Sequence, residues 1–69
     1  MPTTHPTPDA LAARFARAGE ALADLDSPRA KLCWQQRTLV LSQRDVVSNG
    51  WLAEQAELVG ALERVAGLA

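Results

Sequence analysis

From Ser27 to Gly67 the chain reads as helix almost without pause, and that run limits what the rest can become. It opens on Ser27-Pro28, a hydroxyl able to cap and a proline at the first helical position, where its missing N–H costs nothing. At about 100° per residue, Cys33, Val40, Val47, Trp51, Leu58, Leu62 and Val65 fall on one line. Trp34, Leu41, Leu52, Val59 and Ala66 form a second line about 100° further round. Leu32, Leu39 and Val46 form a third on the other flank. Gln35, Thr38, Ser42, Asp45, Asn49, Glu63 and Arg64 keep the remaining strip polar. A helix that only lies on a small core needs an apolar stripe of about 100°, and this one shows roughly twice that. It is built to be touched from more than one side.

At 69 residues the chain is one domain at most, of a size that is marginal by itself. Such chains usually carry a disulfide, a metal or a partner. Cys33 is the single cysteine, so no disulfide forms within the chain. With one His and one Cys, a protein-only metal site is not expected, because zinc usually takes about four ligands. A partner or a second copy is what remains. The 13 Ala and 10 Leu, with no Ile and no Tyr, favour helix over strand. The net charge of −1 supplies no field for nucleic acid or an anionic membrane. No apolar run reaches the roughly 18 residues of a membrane span. Nothing in Met1–Pro8 resembles a secretory signal, and a single unpaired cysteine suits a reducing cytoplasm. Six Arg against one Lys is the composition of a GC-rich genome, bacterial or phage.

Residues 1–7 read as a mobile polar lead rich in proline. His5 lies in it, where no held geometry is available for acid–base or metal chemistry. Residues 8–69 form the helical domain, with helices expected at about 8–25, 28–48 and 51–66. Thr7 caps the first, Pro8 opens it and Asp9 suits its dipole. Leu11, Phe15, Ala18, Leu22 and Leu25, spaced 4, 3, 4, 3, make a seam of the coiled-coil kind. Its flanks are mostly Ala, and Gly19 is either tolerated at a cost of up to about 1 kcal/mol or lets another helix come close. The short turn at Asp24–Pro28 makes the first two helices antiparallel neighbours.

Ser48-Asn49-Gly50 admits two readings. Gly50 could be a left-handed stop, with Trp51 folding back on Val46. Alternatively, the helix passes straight through, as the alignment of Val40, Val47, Trp51 and Leu58 suggests. The break is favoured, because Asn-Gly is a turn signal and an uninterrupted helix of that length is out of scale for the chain. The fold class is therefore all-α: a small antiparallel bundle of three helices, or a hairpin with one long helix, and oligomeric in either case. A hairpin of strands across Thr38–Ser42 and Asp45–Val47 lacks a turn residue that accepts positive φ. At the far end Gly67 reads as the stop, Leu68 as the apolar residue after it, and Arg64 as the cation of the last turn.

No catalytic set emerges, and neither enzyme activity nor a cofactor is expected. Glu54 and Glu57 read as a solvated helix edge. Cys33 could be a nucleophile if Lys31 or Arg37 approached it, but its place on the apolar line reads as an inert buried thiol. The middle of the chain is basic (Arg29, Lys31, Arg37, Arg44) and the end acidic (Glu54, Glu57, Glu63). A recognition helix after the glycine would therefore be repelled by phosphate. Gln36, Gln43 and Glu54 interrupt the apolar arc, either to set the register of an assembly or as its wet edge. The two tryptophans carry most weight, because Trp and Arg dominate interface hot spots. Trp34 is the better interface candidate, and Trp51 the better core candidate. The expected interaction residues are Trp34, Arg37, Leu41, Arg44, Trp51, Leu52 and Val59. These features imply a small cytoplasmic module that meets a protein partner or its own copy through an apolar helix face. An adaptor, a chaperone-like subunit or a phage-type inhibitor would all fit. The competing reading is a small dimeric DNA-binding regulator.

Overall fold

The computed structural model describes residues 6–68. They form three helices, α1 Pro8–Leu22, α2 Ser27–Ser42 and α3 Asn49–Val65, with no strand among the described residues. Most of the expected polar lead, His5 included, lies outside them.

Local chemistry accounts for each start. The Thr7 hydroxyl accepts the Ala10 N–H at 3.1 Å, and Pro8 opens α1. For α2 the cap is Asp26 rather than Ser27: its carboxylate accepts the Arg29 N–H at 3.2 Å and Ser27 is already helical. A carboxylate is an equally good cap and adds a favourable charge at the positive end of the helix. Ser48 caps α3, accepting the Trp51 N–H at 3.1 Å.

The break between α2 and α3 is present, but six residues earlier than its expected position. α2 ends at Ser42, and Asn49 and Gly50 are the first residues of α3. Gly50 is therefore not a left-handed stop; the one described residue with positive φ is Gly67. The Ser42 hydroxyl donates to the Leu39 carbonyl at 3.0 Å, within the last turn. The backbone then turns on the Gln43 carbonyl, which accepts from Val46 and Val47 at 3.0 and 3.2 Å. Asp45, Val46 and Val47 are weak helix formers, and Ser48 offers a better start than Asn49-Gly50 offers a stop. α3 closes as expected, with Leu68 N–H on the Glu63 carbonyl at 2.8 Å and Gly67 N–H on Arg64 at 3.2 Å. That pair of bonds is a Schellman motif.

α1 is the central element. It packs along α2 and more sparingly on α3, while α2 and α3 hardly touch each other. The resulting body measures 37 × 26 × 14 Å, a slab rather than a cylinder. Leu11, Phe15, Ala18 and Leu22 are fully buried, as the 4, 3, 4 spacing requires. Leu25 is not part of this seam: α1 stops at Leu22, and Leu25 lies in the turn, 72% exposed. α2 contributes Ala30, Cys33 and Val40, and α3 contributes Leu52, Val59 and Leu62. Leu32, Leu41, Val47, Trp51 and Leu58 pack against this core from its edges.

Candidate protein-interaction face

The three apolar lines of α2 separate by burial. Cys33 and Val40 on the middle line are at 0% exposure. Leu32 and Leu39 on one flank are half-buried, as is Leu41 on the other. Trp34, on the same flank as Leu41, keeps 39% of its surface exposed. The phase changes across the six-residue connection. In α3 the second line turns inward, burying Leu52 and Val59, while Trp51 and Leu58 become half-buried and Val65 stays 50% exposed. Leu52 and Val59 thus help close the core of this chain, and Trp51 packs at its edge with its N–H held by Ser48.

Trp34 is held from beneath and from the side. Gly19 of α1 lies directly under the indole: a Cβ there would sit 2.9 Å from Trp34 Nε1, 3.0 Å from Cε2 and 3.2 Å from Cys33 Cβ. At Gly19 α1 therefore leaves no room for a side chain against α2. The Arg37 guanidinium stands over the ring, 5.9 Å from its centroid, within the range of a cation–π contact. One turn further, the Thr38 hydroxyl donates to the Trp34 carbonyl at 3.1 Å. The ring is an anchored projection on the surface, not a loose side chain.

On α1, Gly19 meets α2, and Arg14 meets α3 through Glu63. Its Nη2 donates to Oε1 at 2.5 Å and its Nε to Oε2 at 3.1 Å. Five residues at about 100° each place Gly19 and Arg14 some 140° apart round α1. The Trp34 flank consequently lies away from α3. The paired Arg14 guanidinium lowers the Glu63 carboxyl below its ordinary range, and the bond raises Arg14 in return.

Two of the four cations in the basic middle are already engaged. Arg44 pairs with Asp9 at 3.3 Å, and Arg29 with its own cap, Asp26. Arg29 also lowers the Asp26 carboxyl, through its side chain first and its N–H second. The polar residues inside the apolar arc take the wet edge: Glu54 and Gln43 are exposed, Gln43 ending α2, and Gln36 is half-buried. Burial pushes the Cys33 thiol up, away from the nucleophilic thiolate. Among the described residues no three of His, Cys, Asp and Glu come together as a metal set. No described helix is long and apolar enough to cross a membrane.

Two features were not anticipated. The Arg14–Glu63 fork joins residues 49 positions apart, and nothing local announces it. Gln55 Oε1 is buried without a hydrogen-bond partner among the described residues. Of the two readings open for Gly19, mere tolerance or close approach of another helix, the structure shows the second, with α2 as the helix and Trp34 as the residue it meets. The chain matches no family model, no curated protein and no solved structure.

Proposed function

We propose that the chain is a non-catalytic protein–protein interaction module of a reducing cytoplasm. It would dock through the α2 flank that carries Trp34, Arg37 and Leu41, with Arg44 at the rim. One observation carries this reading. A tryptophan, 39% exposed, is fixed in place by a glycine beneath it and a guanidinium over it. A pre-ordered aromatic loses little conformational entropy when a partner covers it, which is how hot spots gain their energy. Trp51 belongs to the edge of the fold, and its part in docking would be secondary. Leu52 and Val59 would act only indirectly, by holding α3 against α1.

Adaptor, chaperone-like subunit and inhibitor all remain consistent with such a face. The DNA-regulator reading is weaker, since only Lys31 and Arg37 of the basic middle lack a carboxylate partner among the described residues. Retention on heparin that falls steeply with salt would revive it.

The test is affinity capture from a cell extract with wild-type protein and Trp34→Ala side by side. The reading expects a partner retained by the wild type and lost with the variant, both proteins having the same helical circular dichroism. Capture of the same proteins by both would remove Trp34 from the interface.

A further inference from the structure

Resting on that reading, we propose that the Trp34 face docks a second copy of this chain, α2 of each lying on α1 of the other. The face is complementary to itself in size. Its α2 side carries the bulk, Trp34 and Leu41, separated by two turns or about 10 Å along the helix. Its α1 side is small: at about 100° per residue, Ala13 and Ala16 follow Gly19 round the same outward flank. Ala13 is exposed and Ala16 half-buried. A two-fold axis running along the helices, between α1 and α2, sets the bulky row of each copy on the alanine row of the other. That is the isologous arrangement of a symmetric dimer.

The face is also complementary to itself in charge. Glu20, about 100° further round α1 than Gly19, lies on the same outward flank as Ala13 and Ala16 and is exposed. Lys31 lies one turn before Trp34 on the same side of α2. Both are exposed, and neither has an ion-pair partner among the described residues, whereas Arg14, Arg29 and Arg44 all do. Because α1 and α2 are antiparallel, Glu20 and Lys31 stand at the same end of the molecule. The axis that places α2 on the neighbouring α1 brings Lys31 of each copy to Glu20 of the other, twice per dimer.

Sedimentation equilibrium over a hundredfold range, reaching about 1 mM, reads the association constant. The mass should climb from that of the 7.4 kDa chain to twice that value. Glu20→Lys and Lys31→Glu should each weaken association about tenfold, because each turns two attractive pairs into repulsive ones. The double variant should return to within about threefold of the wild type, since the charges are merely exchanged. Surface substitutions of this kind leave the core untouched, so circular dichroism should remain unchanged throughout. A mass of 7.4 kDa at every concentration overturns the second-copy proposal and leaves the interaction reading to a foreign partner. A dimer indifferent to both single reversals also overturns it, because that dimer would use another surface.

Discussion

α1 meets its two neighbours in opposite ways. Against α2 the contact is one of shape: Gly19 removes a side chain so that the indole of Trp34 and the Cβ of Cys33 can come close. Against α3 the contact is narrower and ends in charge, the Arg14–Glu63 fork at its margin. Small-residue packing is unforgiving, since one methyl group has no place to go. An ion pair with the arginine 41% exposed is worth little and yields readily. The Arg14–Glu63 fork should therefore yield with less effect than an added methyl at Gly19, while Leu52, Val59 and Leu62 keep α3 part of the same buried core.

The largest effect should come from the core that both contacts flank. Phe15 is fully buried in the central helix, and Phe15→Ala should cost about 3–5 kcal/mol, read as loss of cooperative thermal unfolding. Next comes the contrast between two glycines. At Gly19 an added methyl meets Trp34 and Cys33, whereas at Gly60 nothing lies within 4 Å of it. Gly19→Ala should destabilise by about 1–2 kcal/mol, the overpacking penalty less the gain in helix propensity. It should also shift the Trp34 fluorescence as the ring is displaced. Gly60→Ala should stabilise by up to about 1 kcal/mol, so two identical substitutions carry opposite signs in urea titrations.

The α3 contact should respond more gently and depend on pH. Glu63 has a folded-state carboxyl below its ordinary value of 4.5, chiefly through its bond to Arg14. Its contribution is complete above that value and is lost as the pH falls through the lower, folded-state one. Glu63→Gln should cost about 1 kcal/mol near neutrality. The gap between variant and wild type should close on acidification below 4.5. A gap that persisted unchanged in acid would mean the side chain acts by packing.

The local elements were legible from the sequence. Thr7-Pro8, the seam from Leu11 to Leu22 and the stop at Gly67 are short-range chemistry, and each appears where expected. The position of the second break was not, because Asn49-Gly50 speaks for a turn while Ser48 speaks for a helix start, and only packing decides. The inward face of α3 was unreadable for a related reason: six residues of connection erase the helical phase carried along α2. Leu25 obeyed the seam spacing but fell beyond the end of its helix. For the candidate face, Trp34 was legible as a residue in excess of what a small core can absorb. Its support by Gly19 was not, since that depends on which flank of α1 meets α2.

The most direct test of the central idea, that Trp34 serves a partner more than the fold, is thermal unfolding of Trp34→Ala by circular dichroism, with association measured on the same samples. The account predicts an intact helical signal at room temperature, a cooperative transition that survives, and association lost. An unfolded Trp34→Ala monomer, or a folded one that associates as the wild type does, would contradict it.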